Sequence, residues 1–170
     1  MEKIELREHI LRMQAALVQA KIAEEKGEVP IGAVMVEVNS GEMVAHAFNR
    51  RRLPPFDPCG HAEILAMRES CEKVVHDWRL NSYLLYVTLE PCPMCLAAMV
   101  QARVGGLIFG AYDKKGGALS LGYALHRDSR LNHRFPVLGG IYELECAGVL
   151  RDFFKKRRSM DSFHMEILRS

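Results

Sequence analysis

Two short stretches carry the side chains best suited to chemistry. GHAEILA, from Gly60 to Ala66, sets His61 two residues before Glu63, and LEPCPMC, from Leu89 to Cys95, sets Cys92 three residues before Cys95. At the start of a helix, two cysteines three apart lie on one face and can grip one ion. Each thiolate also gains from a helix N-terminus, where unpaired N–H groups and the helix dipole favour negative charge. His61 and Glu63 have the opposite geometry. Positions i and i+2 point to nearly opposite sides of a helix, so the pair can serve one site only if that site lies beyond the helix end. If the two helix N-termini face each other at the C-terminal edge of a sheet, His61, Cys92 and Cys95 converge as three ligands. Glu63 then stands beside the ion without binding it.

Three protein ligands suit a catalytic zinc ion, one per chain, with water or hydroxide in the fourth position; structural zinc normally closes that position with protein. Zn²⁺, two thiolates and a neutral imidazole sum to zero charge, a weaker Lewis acid than a three-histidine site, so the bound water gains from a base. Glu63 is placed for that role. It can take a proton from the water, deliver it to a ring nitrogen of a substrate and then protonate a departing amine. Cys59 competes with this picture: a thiol two residues before His61 is a candidate fourth ligand that would close the site and make it structural, leaving Glu63 without a use. The plainer reading of Cys59 is a small apolar space-filler.

The chain has five cysteines, at positions 59, 71, 92, 95 and 146. An odd number without the spacing of a small secreted framework favours metal or catalytic use over disulfides. Cys71 and Cys146 fall on helical apolar faces and read as core. A lone H-x-E arises by chance in many chains, and P-C-x-x-C alone is as often redox-active or structural; the pair, each opening a predicted helix, points to a metal site. His9, His46, His76, His126 and His164 have no ligand-like spacing, and the role of His133, in LNHRF, stays open.

The elements that must hold these residues follow from periodicity. Ile10, Met13, Leu17 and Ala20 form an apolar helical stripe that stops near Gly27 and Pro30. IGAVMVEV and MVAHAFN flank Asn39-Ser40-Gly41, whose Asn and Gly tolerate positive φ, so they read as a hairpin. RRLPPFDPCG is a proline-rich loop, and a helix is predicted from about His61 to Glu72. YLLYVTL reads as a buried strand, a second helix carries Cys92 to Gln101, and GGLIFGA gives another strand. A helix around Ala118 to Leu125, an extended piece near Arg134 to Leu138 and a basic C-terminal helix over 142–160 complete the order, with 161–170 as a tail. No repeat, low-complexity block or linker divides the chain, so one domain is expected over 1–170. A hairpin followed by strands and helices in alternation implies an α/β fold, a mixed sheet with helices on both faces.

Composition agrees with this, because 170 residues at 49% apolar content are ample for one core. No run approaches the roughly 18 apolar residues of a membrane span. The charged N-terminus, MEKIELREHI, is unlike a signal peptide, so a soluble cytoplasmic protein with no membrane partner is expected. A net charge of +2, from 23 Lys and Arg against 21 Asp and Glu, does not by itself announce nucleic acid. Its placement says more. From Arg151 to Arg158 there are five basic residues and one acid, a net of +4, so the rest of the chain is slightly acidic. Such a run is commonly a solvated helix end. A polyanion would nevertheless gain from it through phosphate contacts and counterion release, with Lys155, Lys156, Arg157 and Arg158 as candidate contacts and Arg50, Arg51 and Arg52 beside the expected pocket. Two basic clusters favour RNA over a free base.

The two motifs resemble those of the zinc-dependent nucleoside and nucleobase deaminase superfamily, for which H-x-E with P-C-x-x-C is the known signature, and within it the bacterial tRNA-specific adenosine deaminases. The likeness runs over nearly the whole chain, through VPIGAV, FNR at 48–50, DWRL at 77–80, YVTLEPCPMC, IFGAYD at 108–113, LNHR at 131–134 and DFFKKRR near the end. It implies a cytidine deaminase-like three-layer fold with a five-stranded sheet, zinc on His61, Cys92 and Cys95, and proton shuttling by Glu63. It also implies a base contact from Asn49, which alone would read as a turn or strand-end residue. The implied reaction is hydrolysis of a cyclic amidine C–N bond, converting the wobble adenosine of a tRNA anticodon to inosine with release of ammonia. The target base would leave its stack in an anticodon stem-loop, where unstacked bases come at low cost, and the enzyme would be a homodimer whose partner contributes to the RNA site. Phe48, Phe56, Phe153 and Phe154 are candidates for stacking on neighbouring bases, although Val149 and Leu150 extend the stripe of Phe153 and favour core packing for it. The chain departs from that family at Cys59-Gly60, where a small pair such as Thr-Ala is usual. Two alternatives stay open. One is a deaminase of a free nucleobase or nucleoside of guanine or cytosine type, against which the basic clusters count. The other is a non-catalytic zinc-stabilised partner subunit, against which Glu63 and the three-ligand set count.

Overall fold

The computed structural model describes residues 5–167, with side chains as far as residue 159. Helix α1 (Leu6–Glu25) leads into the hairpin of β1 (Gly32–Glu37) and β2 (Met43–Phe48), and a loop then reaches α2 (Ala62–Ser70). The rest of the chain alternates β3 (Tyr83–Leu89), α3 (Pro93–Gln101), β4 (Gly106–Ala111), β5 (Val137–Leu138) and α4 (Glu143–Ile167). The strands form one sheet in the order β2-β1-β3-β4-β5, with β1 antiparallel to both β2 and β3, and with β3, β4 and β5 parallel. The expected single-domain α/β architecture with a mixed five-stranded sheet is present.

Alternation of side chains along the central strands sends them into two separate layers. Ala33, Met35, Leu85, Val87, Leu107 and Phe109 pack against α2 and α3, around Ala66, Leu96 and Met99. Val34, Val36, Leu84, Tyr86 and Ile108 pack on the other face against α1 and α4, around Met13, Ala16 and Cys146. Burial on both faces is why β3 reads as a continuous apolar run. Helix α1 packs tightly on β1 at Gly32, where an added Cβ would lie 2.0 Å from the Ala16 carbonyl oxygen and 2.5 Å from the Ala20 nitrogen.

The topology also decides where the two motifs meet. Because β1 runs antiparallel between them, β2 and β3 point the same way and end at the same edge of the sheet. Helices α2 and α3 both begin at that edge and touch each other on one face.

Three expectations are corrected. The helix expected around Ala118 to Leu125 is replaced by turns and a single 3₁₀ turn, Leu125–Arg127. Gly122, at φ 88°, turns the chain out of a helical path, and two backbone donors bond outside the segment: Glu90 accepts the N–H of Ser120 at 2.7 Å and its hydroxyl at 2.6 Å, and Pro91 O accepts the Ala118 N–H at 2.8 Å. Glu90 also holds the Asp113 N–H at 2.9 Å. Helix α2 ends at Ser70 and is followed by one π turn, Cys71–Val75, which closes on His76 at φ 50°. Helix α4 runs past the expected end near Met160 to Ile167, since no glycine or proline interrupts 155–167; the last residues of the expected tail, 168–170, lie outside the described residues. Among the described residues no helix is long and apolar enough to cross a membrane.

Gly32→Ala should force α1 away from β1 and lower stability by about 2 kcal/mol. Thermal unfolding should show this as a drop of about 6 °C in Tm.

Candidate active site

His61 opens α2 in an extended conformation at the N-cap position (φ −77°, ψ 147°), and its side chain makes no capping hydrogen bond. Asn49 caps the helix instead. It is buried just past the end of β2, and its Oδ1 accepts the Ala62 N–H at 2.9 Å. That bond orients the amide and leaves its NH₂ group available to donate elsewhere. With capping supplied by Asn49, the imidazole can turn toward α3. Cys92 holds the N-cap position of α3 (φ −70°, ψ 167°) and Pro93 the first helical position, where a missing N–H costs little. Cys95 follows on the same helix face, fully buried.

Three donor atoms meet between the helix ends. His61 Nδ1 lies 3.7 Å from Cys92 Sγ and 3.5 Å from Cys95 Sγ, and all three atoms fall within 4.8 Å of one another. A nitrogen at about 2.0 Å and a sulfur at about 2.3 Å from one tetrahedral ion lie about 3.5 Å apart. The cluster therefore fits a zinc ion as it stands. Among the described residues no other group of His, Cys, Asp and Glu gathers in this way, and the exposed Cys59 stands outside the cluster.

The electrostatics agree with a cation site. Two adjacent thiols do not both ionise without a positive partner: hydrogen bonding with Cys95, and then with His61, holds Cys92 down at about 4. The same contact with Cys92, together with burial, pushes Cys95 up. His61 is raised chiefly by its hydrogen bond to Cys92. A divalent ion competes with these shared protons, so metal affinity falls as pH falls. Glu63 is 4% exposed, and burial pushes its carboxyl up, against a weaker downward pull that includes His61. It is not one of the converging donors. A buried carboxyl that protonates readily beside a metal site suits proton transfer.

A family model described as MafB19-like deaminase matches residues 7–158. The tRNA-specific adenosine deaminase of Bacillus subtilis is 48% identical over 148 residues, 87% of this chain and 89% of that protein. The protein of the same name from Agrobacterium fabrum is 44% identical over 149 residues, 88% and 95% of the two chains. This chain belongs to the tRNA-specific adenosine deaminase family. A solved structure, described in terms of A-to-I editing by tRNA:A34 deaminases at the wobble position of transfer RNA, is 43% identical with a TM-score of 0.76, covering 82% of this chain and 99% of that one.

Next to Asn49 this deaminase has a cavity of about 510 Å³, lined by Glu28, Asn49, Arg51, Arg52, Phe56 and Arg157 among others. Its wall is the loop between β2 and α2, tied at its base by the Arg50 N–H to Gly60 O at 2.8 Å and the Gly60 N–H to Asp57 O at 3.0 Å. Arg50 bends back on this loop, donating to Pro54 O at 3.1 Å, so Arg51 and Arg52 line the cavity in its place. Of the basic run on α4, Arg157 reaches the cavity. Lys156 pairs with Glu24 of α1 at 3.0 Å along a different groove, and Lys155 and Arg158 are exposed on the helix surface. Phe153 is buried, edge-on to Phe154 at 5.3 Å, with the Arg157 guanidinium 5.8 Å from its ring centre. It braces the arginine from below. Phe56 is 70% exposed at the cavity rim, and Phe154 lines a neighbouring cavity with Tyr112 and Asp113.

Two buried carboxylates of this region were given no role by the sequence, although Glu90 lies within LEPCPMC. Glu90 organises the loop after β4, as described above, and Glu28 takes two backbone N–H groups from the loop before α2. Both look like ordinary surface charge until the backbone they satisfy is known. His133 is structural: its Nε2–H donates to Val104 O at 2.8 Å.

Elemental analysis of the purified protein should find about one equivalent of zinc per chain. His61→Ala and Cys95→Ala should each retain less than about a tenth of it, and Cys59→Ala should retain all of it. Loss of zinc from Cys59→Ala would place that thiol in the ligand set after all.

Proposed function

We propose that the protein is a zinc-dependent hydrolytic deaminase that converts adenosine to inosine at the wobble position of a tRNA anticodon. The observation that carries this reading is the placement of two features around the start of α2, a three-donor metal cluster that includes its N-cap His61 and a cavity lined by Arg51, Arg52 and Arg157, with Asn49 both lining the cavity and capping the helix. A free nucleobase has no use for the arginines, whereas an RNA strand has a phosphate for each of them.

Zinc held by His61, Cys92 and Cys95 supplies Lewis acidity, bringing the pKa of water toward neutrality. Glu63 would accept a proton from the water that adds to C6 of adenine and pass it to N1, then take the proton of the new C6 hydroxyl and deliver it to the amino group, which leaves as ammonia while C6 becomes a carbonyl. Water and adenosine are consumed; inosine and ammonia are produced. Burial raises the Glu63 carboxyl above its ordinary value, which favours its taking up and giving back a proton. Asn49, pinned by Ala62, presents its NH₂ group as a donor to the base. Arg51, Arg52 and Arg157 hold the backbone around a target that has left its stack, with Phe56 as a stacking surface on the rim. Lys155, Lys156, Arg158 and Arg50 act farther out, drawing in the RNA without lining the cavity. The active form is read as a homodimer, supported by the family resemblance; α3 uses Leu96 and Met99 for its own core and leaves Met94 at the surface.

The deciding assay incubates zinc-loaded protein with an anticodon stem-loop carrying a wobble adenosine, and in parallel with free guanine and cytidine, and measures inosine and ammonia. Inosine in the stem-loop supports the proposal, and turnover of a free base with none of RNA sinks it. Glu63→Ala should keep its zinc and lose about 10³-fold or more in kcat. Arg157→Ala should raise KM for the stem-loop several-fold at nearly unchanged kcat, and should lower the slope of log affinity against log salt by about one.

A further inference from the structure

Between the end of β3 at Leu89 and the start of α3 at Pro93 lie three residues that belong to no strand or helix, and the third of them is the ligand Cys92. Irregular backbone of this kind has no ladder or helix to fix it, so whatever holds residues 90–92 also fixes the direction of the Cys92 thiol. The two residues before Cys92 are tied to a single segment, 111–120, that follows β4. The Glu90 N–H donates to Ala111 O and Pro91 O accepts the Ala118 N–H, each at 2.8 Å. The Glu90 carboxylate is 2% exposed, and both of its oxygens are satisfied by the same segment. Oε1 accepts the Ser120 N–H at 2.7 Å, and Oε2 accepts the Asp113 N–H at 2.9 Å and the Ser120 hydroxyl at 2.6 Å. The loop comes this close because position 117 is glycine: an added Cβ would lie 2.3 Å from the Glu90 carboxyl carbon. On its other side Cys92 is bound into α3, where its carbonyl accepts the Leu96 N–H at 3.0 Å.

Each half of the donor set thus has its own anchor. Asn49 holds the helix end that carries His61, and Glu90 holds the segment that carries Cys92. Three donors share one ion only within a few tenths of an ångström of their proper places, and groups that hold ligands in position matter to metal affinity nearly as much as the ligands.

We propose that Glu90 is a positioning residue for the metal centre: by locking residues 90–92 to the loop after β4, it keeps the Cys92 thiolate in place for zinc. Glu90 is not among the converging donors, so it acts through the backbone of Pro91 and Cys92. This inference rests on the zinc reading of the cluster and is independent of which substrate is deaminated.

The test follows release of zinc from the loaded protein to an excess of the chromogenic chelator 4-(2-pyridylazo)resorcinol, with circular dichroism confirming that each protein stays folded. Glu90→Gln keeps the shape of the side chain but turns an amide NH₂ toward donors, and should release zinc about tenfold faster than wild type. Gly32→Ala is the control, since it loosens α1 on the other face of the sheet without touching residues 90–120; it should lower Tm and release zinc at the wild-type rate. A wild-type rate in Glu90→Gln overturns the inference. So does equally fast release from Gly32→Ala, because release would then follow general stability. Should Glu90→Gln fail to fold, Ser120→Ala at an exposed position removes one of the three donors, and release about threefold faster is expected; a wild-type rate there overturns the inference. Wild-type protein that takes up no zinc is a separate outcome, which removes the metal reading itself and this inference with it.

Discussion

Two thiolates and an imidazole can share one ion only where the surrounding fold already favours negative charge and leaves their lone pairs unclaimed. The facing N-termini of α2 and α3 meet both conditions. Helix N–H groups at each end favour the thiolates, and the capping of α2 by Asn49 releases His61 from the role that its position would otherwise give it. The convergence is a property of the sheet. With β1 antiparallel between β2 and β3, both outer strands deliver the chain to one edge, and the two helices start side by side. Parallel pairing of β1 with β3 would put the histidine and the cysteines at opposite ends of the molecule.

Three buried carboxylates surround this edge, and their partners separate their roles. Glu90 and Glu28 are satisfied by backbone N–H groups of flanking loops, so each converts an irregular segment into a fixed wall. Glu63 is buried in the first turn of α2, and that burial raises its pKa. A carboxylate held by two backbone amide donors keeps its place, whereas a buried one beside a metal-binding cluster is suited to losing and regaining a proton. The same side-chain type thus serves as scaffold or as chemistry according to what surrounds it.

The basic run on α4 shows how helix geometry limits a charge argument. Consecutive helical residues are rotated by about 100°, so Lys155, Lys156, Arg157 and Arg158 point in four directions and cannot converge on one cavity. Arg157 faces it, steadied over the Phe153 ring, while Lys156 turns to Glu24 of α1. The remaining positive charge acts through the field around the cavity, which suits capture of a polyanion more than recognition of a base.

Much of this was legible in the sequence. The H-x-E and P-C-x-x-C spacings, each opening a helix, determined that a metal-binding cluster with a neighbouring carboxyl would form if the two helix ends met, because local ligand geometry depends on positions one to three residues apart. Strand periodicity determined the order of most elements, because burial on one or both faces is written directly into side-chain alternation. The tertiary structure alone decided the rest. It replaced the helix expected at Ala118–Leu125 with turns, where Gly122 takes a positive φ and Glu90 and Pro91, distant in sequence, hold two of the backbone donors. It set Arg51 and Arg52 on the cavity and folded Arg50 back on its loop, and it left Cys59 outside the donor cluster. It also buried Glu28 against a loop more than twenty residues away. A side chain's partners across the fold depend on where the backbone has been carried, and no spacing along the chain records that.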